Sequence, residues 1–319
     1  MQALLQQIVF RVVSVLLCAV VAALVTRVLS EFDLEDGSVG GGHARTVEGL
    51  LTRPTRERHG WDGLGGYEPE KNLLKRNVVL PLKYPQLFFS SDTPSLRPAS
   101  GVLLKGPPGT GKTCLAHACA ADAGVPLITL NPAALEQKWY GESPKILAAA
   151  FALAKRRAPC IVFIDEVDAL GRKRCEGDQA CVYTMKCEML RHMDALDEAV
   201  VVLACTNCPQ SLDAALARRF ATQIEVGPPD EDGRVSILKA ILEASGETVA
   251  PSTIKRVASD TAGKTGAGLR ERYREACFAR LARLDEGLIQ SSENSKELKR
   301  RLGKLRNSDW ALLGGAAQG

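Results

Sequence analysis

The stretch that decides the fold is Gly106-Pro-Pro-Gly-Thr-Gly-Lys-Thr113 (GPPGTGKT). A short apolar run of strand type, residues 101–105, precedes it, and a helix-forming run, CLAHACAADA at residues 114–123, follows it. A strand, a glycine loop, Lys-Thr and a helix, in that order, are the context that a phosphate-binding P-loop requires. The stretch therefore predicts a nucleotide site at the start of a helix, where free backbone N–H groups favour anions.

Every residue of this loop is predicted to contact a nucleotide or its metal ion. The Lys112 ammonium is expected to reach the β- and γ-phosphates of ATP, and the Thr113 hydroxyl is expected to bind Mg²⁺. Glycines allow the backbone N–H groups to curl around phosphate oxygens. The predicted nucleotide contacts in this stretch are Gly106, Pro107, Pro108, Gly109, Thr110, Gly111, Lys112, Thr113 and Cys114.

A second apolar run, Cys160-Ile-Val-Phe-Ile164, ends in two carboxylates, Asp165 and Glu166. A continuous apolar run is typical of a buried central strand in a parallel sheet. A carboxylate at the carboxyl end of such a strand, beside a P-loop, is where Mg²⁺ is held, so Asp165 is predicted to be a metal ligand. Glu166 is predicted to polarise the water that attacks the γ-phosphate.

A third run of strand type, residues 200–205, is followed by Asn207 and later by an arginine pair. The Asn207 amide can hydrogen-bond the attacking water or the γ-phosphate without adding charge. Arg218 and Arg219 follow a predicted helix, and such guanidiniums can reach the γ-phosphate of a neighbouring subunit as arginine fingers. The alternative interpretation is an exposed arginine pair at a helix end.

The order of these patterns predicts the architecture. Strands and helices alternate over residues 101–229, which indicates an α/β fold with a parallel sheet covered by helices on both faces. Residues 231–313 have helical patterns only. We therefore predict a large α/β nucleotide-binding domain over residues 61–229, and a small all-helical lid with a C-terminal helix over residues 230–319.

The N-terminal segment is a candidate for a membrane anchor. Residues 1–30 contain no acidic residue, and their apolar stretch reaches the length of about 20 residues that a bilayer-spanning helix needs. A cleaved secretory signal and a mitochondrial presequence are the alternatives, but presequences are amphipathic and this segment is apolar all round. Residues 31–60 are acidic, then glycine-rich, then arginine-rich, which predicts a flexible linker.

The composition limits the other possibilities. The chain of 319 residues is 45% hydrophobic, which is ample for a core, and its net charge of +4 is too small to indicate a nucleic-acid-binding protein. Its 10 cysteines lack the spacing of a disulfide scaffold. Cys205-x-x-Cys208 lacks the second pair of ligands that a zinc site needs, so reduced thiols are expected.

Taken together, these motifs resemble those of the AAA ATPases over about residues 61–313. Trp61-Asp-Gly-Leu-Gly-Gly66 looks like the motif that opens the domain in that family, where the glycine backbone lies near adenine. Gly263-Lys-Thr-Gly266 looks like the lid motif near the ribose. The further nucleotide contacts that the resemblance implies are Asp62, Gly65, Gly66 and Gly266.

Two residues depart from the family pattern. Gly268 stands where the family usually has an Asp, and Gln223 stands where it usually has a further finger arginine. The resemblance therefore implies that activation by a neighbouring subunit depends on Arg218 and Arg219 alone, and that turnover is slower.

An aromatic pair in a polar segment, Lys138-Trp139-Tyr140-Gly141-Glu142-Ser143, resembles the first pore loop of AAA translocases. In those enzymes, rings from six subunits grip an extended polypeptide, since aromatic contacts need no particular partner sequence. The resemblance implies that Trp139 and Tyr140 contact a polypeptide substrate in the pore of a homohexamer. A buried aromatic pair that anchors a helix is the alternative.

The pore segment and the N-terminal anchor together resemble the outer-mitochondrial-membrane AAA ATPases that extract mislocalised tail-anchored membrane proteins. Enzymes of that family are also found on peroxisomes. Residues 172–178 look like its second pore loop, with Asp178 matching the acidic residue there. The resemblance implies a membrane-bound protein translocase whose ATPase domain faces the cytosol.

Two other functions stay open at this point. A severing or remodelling factor would also grip a tail in its pore, but its substrate would be an acidic, cytoskeletal assembly. A nucleotide-gated scaffold would bind ATP and barely hydrolyse it. The intact pair Asp165-Glu166 argues against the scaffold, whereas Gln223 keeps this alternative open.

Carbonate extraction of isolated mitochondria tests the anchor. Because a spanning helix resists alkaline extraction, we expect the full-length protein to stay in the membrane pellet, with residues 60–319 digested by protease added from outside. Release of the intact protein into the supernatant would exclude the anchor. A protected, soluble and shortened protein would instead identify residues 1–30 as a cleaved presequence.

Overall fold

The computed structural model describes residues 47–55, 60–89, 96–99, 101–132, 143–171, 179–196, 199–281 and 310. The predicted anchor, the pore residues Trp139 and Tyr140, and residues 172–178 lie outside these described ranges. Within the described ranges, no helix has both the length and the apolar character that crossing a membrane requires.

A six-stranded sheet forms the centre of the α/β part. Its strands are β1 (Leu51–Thr52), β2 (Gly101–Lys105), β3 (Leu127–Leu130), β4 (Cys160–Ile164), β5 (Val200–Thr206) and β6 (Thr222–Glu225), and their order across the sheet is β1-β3-β4-β5-β2-β6. Strands β2 to β6 are parallel, with Phe163 opposite Leu203 and Leu103 opposite Ala204. The sheet is covered by helices, so β4 and β5 are buried along their whole length.

The sheet is mixed, which corrects the prediction of a parallel sheet. Strand β1 pairs antiparallel with β3, with Leu51 opposite Ile128 and Thr52 opposite Leu127. The Thr52 hydroxyl also donates to the Leu127 carbonyl at 3.2 Å. The pairing satisfies backbone groups at the edge of β3 that would otherwise be unpaired. These two residues belong to the stretch predicted as a linker, and here they extend the sheet.

The helices of the α/β part pack against this sheet. They are α1 (Glu68–Leu74), α2 (Leu80–Lys83), α3 (Pro85–Phe88), α4 (Lys112–Ala123), α5 (Ser143–Arg156), α6 (Gln179–Asp194) and α7 (Ala214–Arg219), and a π-helical turn, Lys75–Val79, joins α1 to α2. Leu115 and Cys119 of α4 pack with Phe163 and Leu203 in the main core. This core fixes the start of α4 at the carboxyl end of β2, where the P-loop lies.

A second core lies among three later helices, α8 (Glu231–Ala244), α9 (Pro251–Asp260) and α10 (Gly266–Leu281). Helix α8 begins with a capping bond, in which the Gly233 N–H donates to the Asp230 carboxylate at 2.8 Å. Leu238, Val257 and Leu269 are buried between the helices. Trp310 joins this core and is 4% exposed, with its ring centroid 6.4 Å from that of Tyr273. Trp310 thus closes the core of the helical unit.

Replacing Trp310 tests this closure. We expect Trp310→Ala to lower the free energy of unfolding of the helical unit by about 3–5 kcal/mol, since a large buried ring is removed. Hydrogen exchange of the α8 and α10 amides measures the loss, and the amides of β4 and β5 should keep their protection. Phe278→Ala is the matched control, because Phe278 on α10 is 62% exposed and its loss should cost less than about 0.5 kcal/mol. Equal effects of the two variants would contradict a role of Trp310 in the core.

Candidate nucleotide site

The P-loop connects β2 to α4 and depends on its glycines. Gly106 has a φ of 153°, and a Cβ atom there would lie 2.1 Å from the Val226 carbonyl oxygen. Gly111, which directly precedes α4, has a φ of 95°. Side chains are rarely tolerated at such φ values, so the loop can take this path only with glycine at these positions.

Lys112 lies inside the loop that it belongs to. Its ammonium donates to the Gly106 carbonyl at 2.8 Å and to the Pro107 carbonyl at 2.8 Å, and the residue is 7% exposed. Burial lowers the pKa of Lys112, while the nearby carboxylates of Asp165 and Asp168 act in the opposite direction. The loop therefore holds a largely dehydrated cation at the place where phosphate is predicted to bind.

The two predicted metal ligands lie next to each other. The Thr113 hydroxyl donates to Asp165 Oδ2 at 3.2 Å, although the residues are 52 positions apart in sequence. The parallel pairing of the strands brings them together, because Asp165 directly follows β4 and its N–H donates to the Leu130 carbonyl at 2.8 Å. A hydroxyl and a carboxylate oxygen are the hard donors that Mg²⁺ prefers when waters and phosphates fill its other positions.

Glu166 is held in an unusual backbone conformation. Its φ is 55°, its N–H donates to Asp165 Oδ1 at 3.1 Å, and its carbonyl accepts from the Ala169 N–H at 2.9 Å. Positive φ is uncommon outside glycine and is often found at functional sites. The conformation keeps the Glu166 carboxylate exposed on the cavity wall while Asp165 stays beside Thr113.

Asn207 lies on the same cavity wall, after β5. Its position is fixed by the preceding residue, since the buried Thr206 hydroxyl donates to Asp168 Oδ1 at 3.0 Å and accepts from the Cys208 N–H at 3.0 Å. Asp168 belongs to the turn that follows Glu166. One hydroxyl therefore connects the segment that carries Glu166 to the segment that carries Asn207. The sequence analysis did not identify the roles of Asp168 and Thr206.

A cavity of about 330 Å³ opens between these residues and the helical unit. Seven consecutive P-loop residues, Pro108 to Cys114, line it together with Asp165, Glu166 and Asn207. The opposite wall is formed by Gly63, Leu64, Gly65, Tyr67, Ile237, Ile241, Gly266, Ala267 and Arg270. The structure thus brings together most of the residues predicted to bind nucleotide.

The wall opposite the P-loop contains residues that the sequence analysis missed. Ile237 and Ile241 belong to α8 and present an apolar surface, and Arg270 belongs to the first turns of α10. Gly65 is packed directly against α8, since a Cβ atom there would lie 2.3 Å from the Ile237 backbone nitrogen. Helical periodicity explains why α8 contributes two residues four positions apart, but their orientation towards a nucleotide depends on tertiary packing.

Some predicted contacts lie elsewhere. Gly106 and Pro107 are bonded to Lys112 beneath the loop, and Gly66, with a φ of 71°, packs against Gly233 of α8. Asp62 lies in the turn Trp61–Gly63, and its side chain is outside the described part of the structure. In the part of the chain that the structure describes, the cavity lining does not include Asp62, Gly66, Gly106 or Pro107.

Both predicted finger arginines lie outside the cavity of their own subunit. They end α7, where Arg218 is exposed and Arg219 bonds to Asp194. Gln223 is on β6, opposite Leu103, and its side chain is exposed. The role of Arg218 and Arg219 as fingers stays a prediction.

Seven cysteines whose side chains the structure describes are free thiols, namely Cys114, Cys119, Cys160, Cys187, Cys205, Cys208 and Cys277. Burial raises the pKa of Cys119 and of Cys205, so both stay protonated. No cluster of three or more His, Cys, Asp or Glu side chains suited to a metal ion occurs in the part of the chain that the structure describes.

Comparison with known proteins identifies the family. The model of the family described as "ATPase family associated with various cellular activities (AAA)" matches residues 102–228. The outer mitochondrial transmembrane helix translocase of Homo sapiens is 37% identical over 259 residues, which is 80% of this chain and 71% of that protein. The chain belongs to the AAA ATPase family. The predicted resemblance to the outer-mitochondrial-membrane members is thereby confirmed, and as an AAA ATPase the protein binds and hydrolyses ATP.

Other relatives agree with this assignment. A Danio rerio protein with the same name is 38% identical over 237 residues, which is 73% of this chain and 65% of that protein. The solved structure of the FIGL-1 AAA domain in complex with ADP has a TM-score of 0.74 and 26% identity, and the match covers 87% of this chain and 90% of that one. A structure described as the basis for katanin self-assembly has a TM-score of 0.70 and 30% identity, covering 89% and 93%.

Replacing Thr206 tests the link between the segments that carry Glu166 and Asn207. We expect Thr206→Val to remove one hydrogen bond to the Asp168 carboxylate, to destabilise the fold by about 1–3 kcal/mol and to lower kcat. Thr206→Ser keeps the hydroxyl and should retain most of both. Urea unfolding and steady-state ATP hydrolysis measure the two effects. Normal kcat and stability in Thr206→Val would show that the link is dispensable.

Proposed function

We propose that this AAA ATPase is a membrane-anchored translocase that pulls mislocalised tail-anchored proteins out of a membrane, threading them through the pore of a homohexamer. The observation that carries the proposal is the 37% identity over 259 residues to the outer mitochondrial transmembrane helix translocase. The residues that line the cavity, Lys112 and Asn207 among them, have the side chains that ATP hydrolysis requires.

In this proposal the P-loop residues bind ATP. Lys112 exchanges its carbonyl partners for the β- and γ-phosphates, and the N–H groups at the start of α4 bind phosphate oxygens. The apolar side of the cavity, which suits a flat adenine ring, is formed by Gly65, Gly266, Ile237 and Ile241. The helical unit and the α/β part both contact the nucleotide, so its binding fixes one against the other.

The adjacent oxygens of Thr113 and Asp165 fit Mg²⁺, and we assign them as its ligands. When bound, the ion neutralises charge that develops on the phosphates. Glu166 is the base that orients and deprotonates the attacking water, and Asn207 donates to that water or to the γ-phosphate. Arg218 and Arg219 provide the positive charge from the neighbouring subunit.

The pore residues Trp139 and Tyr140 lie outside the described ranges, but the helix that follows them is well anchored. Helix α5 begins at Ser143, which is buried, and buries Ile146 and Phe151. It packs against β3 and β4, and β4 leads to Asp165. We propose that changes at the γ-phosphate move α5 and, with it, the pore segment.

The proposed location follows from the relatives and from the N-terminal segment. The relatives are named for the outer mitochondrial membrane. We propose that residues 1–30 anchor this protein in that membrane and in the peroxisomal membrane, with the ATPase part on the cytosolic side. Residues 61–229 would be the nucleotide-binding domain, and residues 230–319 the lid.

Reconstituted extraction tests the proposal. Purified full-length protein in liposomes is supplied with a tail-anchored substrate, and the substrate released is measured together with ATP hydrolysis. We expect Trp139→Ala with Tyr140→Ala to keep ATP hydrolysis and to lose extraction, because the rings grip the substrate and do not touch the nucleotide. Glu166→Gln is the matched variant that should lose both, by about 10²-fold or more in kcat.

Extraction that survives in the double aromatic variant would exclude the pore assignment. The alternative is a factor that severs a cytoskeletal polymer or remodels an assembly. The structural similarity to the FIGL-1 and katanin AAA domains is compatible with this alternative. Co-sedimentation with microtubules separates the two functions. Binding to polymer without extraction from liposomes would support the alternative.

A further inference from the structure

The first turn of α10 contacts the P-loop through backbone atoms. The Ala267 N–H donates to the Gly109 carbonyl at 3.0 Å. Helix α10 begins at Gly266, so Ala267 is its second residue, and an N–H at this position has no acceptor within its own helix. The bond therefore uses a donor that the helix leaves free, and it joins the helical unit to the middle of the phosphate loop.

This close approach depends on the absence of a side chain at Gly109. A Cβ atom there would lie 2.8 Å from the Ala267 Cβ atom and 3.0 Å from the Thr265 hydroxyl oxygen. That oxygen accepts from the Gly268 N–H at 3.4 Å, which caps the first turn of α10. Gly109 also has a φ of 79°, where side chains are rarely tolerated. Glycine at position 109 therefore serves both the path of the loop and its contact with α10.

The bond from α10 fixes the orientation of one peptide group of the P-loop. The Gly109 carbonyl and the Thr110 N–H belong to the same planar trans peptide, so the two groups point in opposite directions. Because Ala267 holds the carbonyl, the Thr110 N–H is turned away from α10. The Thr110 hydroxyl donates to the Pro107 carbonyl at 3.1 Å, which holds its side chain in the loop. A rotation of this peptide would break the bond to α10.

The Thr110 N–H is a donor that the protein itself does not use. Thr110 is 1% exposed and lines the cavity, and its N–H has no acceptor in the part of the chain that the structure describes. Buried backbone N–H groups are nearly always paired, because an unpaired one costs free energy comparable to a lost hydrogen bond. A phosphate oxygen in the loop is the acceptor that suits this donor.

Taking the phosphate binding of the proposed function as given, we infer that Ala267 is a positioning residue for the β-phosphate. Its N–H holds the Gly109 carbonyl towards α10, and the Thr110 N–H is thereby directed at a β-phosphate oxygen. The β-phosphate is assigned because loop N–H groups surround the α- and β-phosphates, whereas Lys112 spans the β- and γ-phosphates. The helical unit therefore acts on phosphate affinity through one hydrogen bond, separately from its apolar contacts with the base.

Removal of the N–H at position 267 tests this role in the full-length protein. Ala267→Pro lacks the donor, and proline is tolerated in the first turn of a helix, as Pro251 is in α9. Replacing Ala267 by lactic acid through nonsense suppression exchanges the N–H for an oxygen atom and keeps the methyl group. This second variant decides the test if proline disturbs α10. We expect both variants to bind ADP about fivefold more weakly, as for the loss of one hydrogen bond.

Binding of AMP separates positioning from a merely structural role. AMP has the same base and ribose as ADP but no β-phosphate, so both variants should bind AMP as tightly as the unaltered protein does. Isothermal titration calorimetry measures the two dissociation constants. The control is Ser252→Pro, at the second residue of α9, because Ser252 is exposed and is not part of the cavity lining. This control should bind both nucleotides like the unaltered protein.

Two results would overturn the inference. Unchanged ADP binding by the lactic acid variant would show that the bond does not act on the phosphate. An equal loss of AMP and ADP binding would show that the bond only holds α10 in place. Failure of the underlying phosphate site is recognised separately by Lys112→Ala, which should bind ADP more weakly and AMP unchanged. Unaltered ADP binding by Lys112→Ala would mean that the proposed phosphate site itself is wrong.

Discussion

The parallel hydrogen-bond ladder between β2, β4 and β5 is the constraint on which the rest of the site depends. It ends three strands at one edge of the sheet, so the P-loop, the pair Asp165-Glu166 and Asn207 emerge side by side. Each strand is buried on both faces, and the register cannot slip without moving polar residues into the core. Thr113 and Asp165 therefore meet at hydrogen-bond distance despite their separation in sequence.

The sequence predicts the parts of this arrangement that are encoded locally. A few consecutive residues are enough to recognise a glycine that needs positive φ, an apolar strand, or a carboxylate at the end of that strand. The structure places these groups around one cavity. Strand β1 escapes prediction because a two-residue edge strand has no periodicity. The bond between Asp194 and Arg219 could not be predicted, because the two residues are 25 positions apart and charge alone does not show which residues pair.

The helical unit is tied to the phosphate loop by the backbone itself. The Ala267 N–H, at the start of α10, donates to the Gly109 carbonyl at 3.0 Å. Tyr67 packs against both cores, and burial together with Glu70 raises its pKa to about 12, so its hydroxyl stays neutral. The P-loop and the helical unit are therefore joined by a backbone hydrogen bond at α10 and by one side chain, Tyr67, that packs against both cores.

The contacts of Lys112 have a consequence for the stability of the subunit. Its ammonium has already lost most of its water and is held by the Gly106 and Pro107 carbonyls, so folding carries the dehydration cost that nucleotide binding would otherwise carry. A buried ammonium at this position therefore makes the fold less stable than an apolar side chain would. A nucleotide that binds only the folded subunit offsets this cost by mass action, so its concentration sets how often the subunit unfolds and is degraded.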